Sequence, residues 1–137
     1  MGFVFDDRHW PLLVIRYPAE PTLEQLPGLY TAWDAFLRRG RHAVLVELSL
    51  LNPSFAGPRL RKAAADEVEA RRDAFDSRLI AEARVVPNAL VRHVVTAFDW
   101  VKGMTFKRPL RNAHSYAEAE AWLRDQLAQD DMSAAPR

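Results

Sequence analysis

Short runs of apolar and β-branched residues alternate along this chain with longer segments in which apolar residues recur every three or four positions. The short runs are typical of β-strands, and the longer spacing is typical of helices that bury one face. The segments predicted as strands are 3–5, 12–17, 42–48, 80–86 and 106–111. The segments predicted as helices are 22–39, 59–75, 88–101 and a last one that opens at the capping box of Ser115 and Glu118.

The resulting order, β-β-α-β-α-β-α-β-α, predicts the fold class. Strands that alternate with helices are typical of parallel sheets with right-handed crossover connections. We therefore expect an α/β fold: a single layered domain with a mostly parallel sheet and an N-terminal hairpin, whose turn would lie at Asp6-Asp7-Arg8. The domain is expected to span residues 1–129. Residues 130–137 are small and polar and are expected to form a disordered tail.

The first predicted helix has two possible starts. Its apolar stripe begins at Leu23, after a possible capping box formed by Thr22 and Gln25. Proline is tolerated only in the first turn of a helix, so Pro27 favours a start near Leu26 instead. Gly40 follows the helix and is expected to end it.

Composition and charge exclude several classes of protein and site. The chain has 137 residues, a formal net charge of +1 and no cysteine, so disulfides, thiolate nucleophiles and cysteine-based zinc sites are excluded. Proteins that bind nucleic acid usually carry a strongly basic face, so no nucleic-acid partner is expected. The sequence shows no signal peptide and no apolar segment long enough for a membrane span. We therefore expect a cytoplasmic protein.

The polar residues form no recognisable catalytic or cofactor motif. The five glycines are dispersed, whereas phosphate-binding loops need clustered glycines. The histidines occur singly, without the spacing of a metal site, at positions 9, 42, 93 and 114. We therefore expect no catalytic residues, no metal and no cofactor, and the chain is predicted not to be an enzyme.

Candidate binding residues lie where the third predicted strand ends. The loop 49–58 follows that strand and carries Ser49, Asn52 and Ser54. In open α/β sheets, ligands bind outside the carboxyl ends of the strands, which is where this loop would lie.

The next helix begins with three cations, Arg59, Arg61 and Lys62. The helix dipole disfavours cations at an N-terminus, so this cluster is unusual. Together with the free backbone N–H groups of the first turn, the cations suit an anion such as a phosphate or a carboxylate of a partner. The alternative is that they simply lie beside Asp66 and Glu67 of the following turn, as part of a solvated helix face.

Several segments are similar to a known family. They are the strand HAVLVELS, the prolines of the loop after it, the segment LVRHVVTAFDWV, and the ending HSYAEAEAWLRDQL with its Ala-x-x-Trp-Leu pattern at Ala119, Trp122 and Leu123. With the order of elements, they resemble the SpoIIAA-like family, the small-bacterial-protein branch of the STAS/SEC14-type fold. The resemblance covers residues 3–128 and implies a superhelix of βα units.

One motif of that fold is incomplete here. In anti-sigma-factor antagonists of the STAS type, the loop before the second helix has an Asp-Ser-Ser-Gly-like motif whose serine is phosphorylated. The matching stretch, 52–57, reads Asn-Pro-Ser-Phe-Ala-Gly and lacks the aspartate and the paired serines. Ser54 lies near the phosphorylated position without matching the motif, and its hydroxyl is equally suited to the backbone of a turn.

The resemblance and the lack of a catalytic motif predict a non-enzymatic regulatory or scaffold module that binds a protein partner through residues 49–62. The alternative, implied by the lipid-binding SEC14 relatives of the fold, is a carrier of a small apolar ligand or lipid. A carrier needs an apolar cavity of at least about 300 Å³. The four tryptophans and seven phenylalanines are expected to fill such a space.

Overall fold

The computed structural model describes residues 2–86 and 108–134, which form a five-stranded sheet and four α-helices. The strands are β1 (Val4–His9), β2 (Leu12–Arg16), β3 (His42–Glu47), β4 (Leu79–Val85) and β5 (Leu110–Ala113). The helices are α1 (Leu26–Arg39), α2 (Pro58–Ala70), α3 (Arg72–Arg78) and α4 (Tyr116–Ala134). Short 3₁₀ helices at Leu23–Gln25 and Pro53–Phe55 precede α1 and α2. The helix predicted over 88–101 lies outside the described residues.

The five strands lie in one sheet in the order in which they occur along the chain. β1 and β2 form an antiparallel hairpin, with a cis peptide bond between Trp10 and Pro11 at its connection. The pairs β2–β3, β3–β4 and β4–β5 are all parallel. The predicted α/β class, the mostly parallel sheet and the N-terminal hairpin are therefore confirmed.

Buried residues form one cluster on each face of the sheet, because successive side chains of a strand point to opposite faces. On the first face, Ile15 and Val46 belong to a cluster that includes buried residues of α1, α2 and α3. On the second face, Leu45 shares a cluster with Leu123 of α4. The helices α1, α2 and α3 thus cover one face, and α4 covers the other.

The strand β1 is longer than predicted. Asp6 pairs with Val14 across the hairpin and the strand continues to His9, so the turn predicted at residues 6–8 is wrong. The carboxylate of Asp6 accepts a hydrogen bond from Nη2 of Arg8 at 2.8 Å. Charged residues of this kind are common on edge strands, where they oppose pairing with other chains.

The helix predicted over 59–75 is in fact two helices. The chain changes direction at Arg71, whose φ of −114° and ψ of 17° are not helical. The guanidinium of Arg71 donates hydrogen bonds to Asp34 of α1 at 2.7 Å and to Glu67 at 2.6 Å. A contact with α1 therefore accompanies the break between α2 and α3. The apolar spacing of residues 59–75 does not indicate this break, because it is compatible with one continuous helix.

Pro27 and Gly40 mark the two ends of α1, as the sequence predicts. The helix starts at Leu26 with Pro27 in its first turn, as Pro27 indicates. It ends at Gly40, whose N–H donates to the carbonyl of Phe36 at 3.3 Å. The φ of Gly40 is 155°, a conformation that residues with a side chain rarely adopt.

The last helix extends into the segment expected to be disordered. α4 continues to Ala134, and Asp130 forms an ion pair of 2.6 Å with Arg41, which precedes β3. This contact fixes the end of α4 against the sheet domain, whereas residues 135–137 lie outside the described residues. In the described parts of the chain, no helix combines the length and apolarity that crossing a membrane requires.

Candidate functional site

The predicted binding segment lies at the carboxyl ends of β2 and β3. After β3 the chain forms a turn in which the N–H of Leu51 donates to the carbonyl of Leu48 at 3.1 Å. The next N–H, that of Asn52, donates to the carbonyl of Ala19 in the loop after β2 at 2.9 Å. Neighbouring parallel strands thus bring these two loops to the same edge of the sheet, and a backbone hydrogen bond joins them.

The three polar candidates of the loop, Ser49, Asn52 and Ser54, are exposed, and two of them stabilise the loop. The N–H of Ser49 donates to Oε1 of Glu47 at 2.8 Å, and its hydroxyl donates to the same oxygen. Oδ1 of Asn52 accepts from the N–H of Ser54 at 3.0 Å and caps the 3₁₀ helix Pro53–Phe55. The side chain of Asn52, rather than the hydroxyl of Ser54, is therefore the group that hydrogen-bonds to the backbone of this turn.

The three cations at the start of α2 differ in their contacts and burial. Nη1 of Arg61 donates to the carbonyl of Ala56 at 2.8 Å, and its Nε is buried without a hydrogen-bond partner in the described residues. Nζ of Lys62 lies 3.0 Å from the carboxylate of Asp66, one turn later. Arg59 is exposed and forms no ion pair with the described residues. At about 100° per residue, Arg59 and Lys62 lie about 60° apart around α2 and share a face, whereas Arg61 lies about 160° from Arg59 and so does not join them.

Two large apolar side chains of the same loop are exposed, a feature that the sequence interpretation missed. Leu50 is 69% exposed and Phe55 is 41% exposed. Their neighbours Leu51 and Ala56 are only 7% and 5% exposed, so residue type alone does not tell which apolar loop residue faces solvent. We call the following group of exposed side chains the β3–α2 surface: Leu50, Phe55, Arg59 and Lys62.

A buried ion cluster on the first face of the sheet was also missed. The carboxylate of Glu82 lies 2.9 Å from Nε of Arg84 and 3.1 Å from Nη2 of Arg108, and each of the three side chains is at most 8% exposed. Burial alone would raise the pKa of Glu82, but the two guanidinium groups outweigh it and hold the pKa below its usual value. The cluster joins β4 to the residues that lead into β5.

The only signal for this cluster in the sequence was that Glu82 and Arg84 alternate with alanines in β4. That alternation is also typical of a strand with one solvated face, so it does not distinguish a buried ion cluster from an exposed one.

Two tyrosines lie close enough to this cluster for its charges to affect them. Burial, with a smaller contribution from the carboxylate of Glu82, raises the pKa of Tyr17 to about 12. Burial also raises the pKa of Tyr30 well above its usual value, with a smaller contribution from Tyr17. Both side chains are therefore neutral phenols near pH 7, able to form hydrogen bonds but not to act as bases.

The described residues thus present one exposed surface of mixed apolar and basic character and one buried ion cluster. Within residues 2–86 and 108–134, no three His, Cys, Asp or Glu side chains are grouped so that they could hold a metal ion.

Comparison of the chain with family models, with curated proteins and with solved structures found no match.

Proposed function

We propose that this protein is a non-enzymatic regulatory or scaffold module that binds a protein partner at the β3–α2 surface, within residues 49–62. One observation carries the proposal: Leu50 and Phe55 are exposed in the same loop, which leads to the exposed cation Arg59. Burying an exposed side chain of this size is favourable by roughly 1.5–3 kcal/mol. Exposed apolar side chains rimmed by charged ones are typical of protein interaction sites.

The conformation of the loop is set by hydrogen bonds within the chain. Asn52 contributes two of them, through its N–H to Ala19 and through its side chain to the N–H of Ser54. Arg61 contributes a third, to the carbonyl of Ala56. A loop that is ordered before binding loses less conformational entropy when a partner binds, which supports a role in recognition.

The regulatory part of the proposal rests on the resemblance to the SpoIIAA-like family, whereas a cytoplasmic location stays the expectation drawn from the sequence. An N-terminal hairpin, parallel strands in chain order and a helix after the last strand support that resemblance. A shared fold does not by itself give a shared function, because function depends on the site. The experiments below therefore test the binding surface.

The double variant Leu50→Ser, Phe55→Ser tests the surface. A partner is first captured with the full chain, identified and purified, and its affinity for each variant is then measured by calorimetry. We expect the double variant to bind at least about tenfold more weakly, because both apolar contacts are lost. The matched control is Val4→Ser with Met132→Ser, since those side chains are 52% and 78% exposed on β1 and α4. Equal affinities for the two double variants would refute the proposal.

Native mass spectrometry distinguishes a partner-binding module from a lipid carrier. Protein purified without denaturation is expected to show the mass of the chain alone or of a complex with another protein. A retained lipid or small apolar molecule would add a smaller mass, and that result would favour the carrier instead.

A further inference from the structure

The charge of the β3–α2 surface indicates the kind of partner segment that it fits. From residue 48 to residue 65 the chain carries three cations and no aspartate or glutamate. Of the two carboxylates that border this stretch, Glu47 accepts a hydrogen bond from Ser49 and Asp66 pairs with Lys62 in an exposed ion pair, so Arg59 is the exposed cation without an ion pair in the described residues. The surface is therefore locally basic, although the net charge of the chain is only +1.

The position of the cations on α2 adds to the positive potential. The N-terminal end of a helix carries a partial positive charge, and α2 has no acidic residue in its first turn to balance it. Its N-cap residue is Gly57, which has no side chain to accept a hydrogen bond from the first-turn N–H groups. A carboxylate placed near Arg59 would meet both the guanidinium and this end of the helix.

The apolar and basic parts of the surface lie close enough for one short segment to contact both. Leu50 and Phe55 are five positions apart and Phe55 and Arg59 are four positions apart, so each interval spans at most about 18 Å even when extended. The turn at Leu48–Leu51 and the 3₁₀ helix Pro53–Phe55 shorten the first interval further. A standard interface buries about 800 Å² on each partner, which is large enough to cover this group.

We infer that the partner segment at the β3–α2 surface is an acidic peptide segment that presents large apolar side chains to Leu50 and Phe55 and carboxylates to Arg59 and Lys62. This inference rests on the proposed function and specifies the class of partner. Exposed Glu20 lies in the neighbouring loop after β2 and exposed Glu24 in the 3₁₀ helix that follows it, and both would repel the same carboxylates. The acidic part of the segment is therefore directed over α2 and away from that loop, which sets its orientation.

A displayed library of random twelve-residue peptides, selected on the immobilised full chain, tests the partner class. We expect the selected peptides to be enriched in Asp and Glu beside Leu, Phe or Trp. In a synthetic copy of a selected peptide, replacing its acids by the corresponding amides should weaken binding about fivefold to tenfold, and binding should weaken between about 0.05 and 0.5 M NaCl.

Charge reversal in the protein provides the matched comparison. Arg59→Glu with Lys62→Glu should shift the selection toward Lys- and Arg-containing peptides. The control, Arg38→Glu with Arg124→Glu, makes the same change in net charge at exposed positions on α1 and α4 and should leave the selection acidic. Circular dichroism of each variant verifies that it is folded.

The outcomes separate this inference from the proposed function. Selected peptides that are neutral or basic, or whose affinity is unaffected by amide replacement, would overturn the inference. If the binding of such peptides still requires Leu50 and Phe55, the proposed function stands and only the inference about acidic partners is lost. Acidic peptides that bind the Leu50→Ser, Phe55→Ser variant as well as they bind the wild type would refute both. A selection that enriches no peptide would overturn the inference as well.

Discussion

His42 is a fully buried histidine whose two ring nitrogens are both engaged. Nε2 accepts a hydrogen bond from Nε1 of Trp33 at 3.3 Å, so Nδ1 carries the proton that it donates to the carbonyl of Gly40 at 2.9 Å. Burial lowers the pKa of His42, and the hydrogen bond to Gly40 opposes that effect only in part. The folded protein therefore holds this imidazole in its neutral form.

This arrangement predicts that stability falls with pH below the pKa of an unfolded histidine. Below about pH 6.5 the unfolded chain takes up a proton at His42 that the folded chain does not, so the free energy of unfolding decreases as pH falls. Urea denaturation of the wild type and of His42→Gln, between about pH 7.5 and pH 5.5, measures the effect. We expect a steeper decrease for the wild type, and parallel pH dependences would contradict the assignment.

Glu82 is a buried carboxylate that pairs with two buried guanidinium groups. Glu82→Gln keeps the shape of the side chain but leaves the guanidinium groups of Arg84 and Arg108 buried without this carboxylate. We expect the free energy of unfolding to decrease by about 3 kcal/mol, as for other buried ion pairs that lose one partner. Glu120→Gln is the control, because Glu120 pairs with Arg124 at the surface of α4. Equal stabilities of the two variants would show that the cluster contributes nothing.

At the scale of elements, Arg71 determines how the segment after α2 packs on α1. Its side chain is 18% exposed and contacts Asp34, Glu67 and the ring of Tyr30, whose centroid lies 5.5 Å from the guanidinium carbon. Arg72, the next residue, is 47% exposed, and its ion-pair partner among the described residues is Glu69. The two adjacent arginines thus differ because Arg71 is largely buried and reaches Asp34 of α1, whereas Arg72 is exposed and pairs across the break with Glu69 of α2.

The two arginines provide a matched pair of variants. Arg71→Ala removes charge-assisted hydrogen bonds to two helices and should lower the free energy of unfolding by about 1–2 kcal/mol. Arg72→Ala removes an exposed ion pair and should produce little measurable change. Chemical denaturation of both variants checks this, and an equal loss for both would show that the α1 contact is not what stabilises the break.

At the scale of the whole molecule, the two faces of the sheet are packed differently. The first face carries large side chains beneath three helices, whereas on the second face small residues of the strands lie beneath α4. Four strand alanines and one alanine of α4, all fully buried, let the backbone of α4 lie close to the sheet: Ala43, Ala81, Ala83 and Ala113 in the strands, and Ala119 in α4. Large side chains from α4 then fill the remaining space on that face.

Leu123 of α4 is 0% exposed, and its loss should destabilise the whole domain. We expect Leu123→Ala to lower the free energy of unfolding by about 2–5 kcal/mol, because a cavity against a close-packed sheet cannot collapse completely. Thermal unfolding followed by far-ultraviolet circular dichroism measures the change. Met132→Ala, also on α4 but at a side chain that is 78% exposed, should melt like the wild type. A similar shift for both would indicate that α4 is not docked through Leu123.

Most features that depend on neighbours in the chain were predictable from the sequence, although the local signals at Asp6-Asp7-Arg8 wrongly indicated a turn. Pro27 and Gly40 indicate where α1 begins and ends, because proline and glycine act on their own backbone. The apolar run of β3 indicates a strand covered on both faces, and the structure buries it on both. The α/β class follows from the same local patterns, since alternation of strands and helices restricts the possible topologies.

Features that depend on residues far apart in the chain were not predictable. Arg71 and Asp34 are 37 positions apart and Glu82 and Arg108 are 26 apart, so no local pattern links the helix break or the ion cluster to its partner. The same distinction between local and distant contacts applies to the candidate site. Its cations and its loop were identified from residue types and order, whereas the exposure of Leu50 beside buried Leu51 depends on how the folded loop lies against the domain. Residue type sets which groups tend to be buried, and packing against the rest of the molecule determines which ones are.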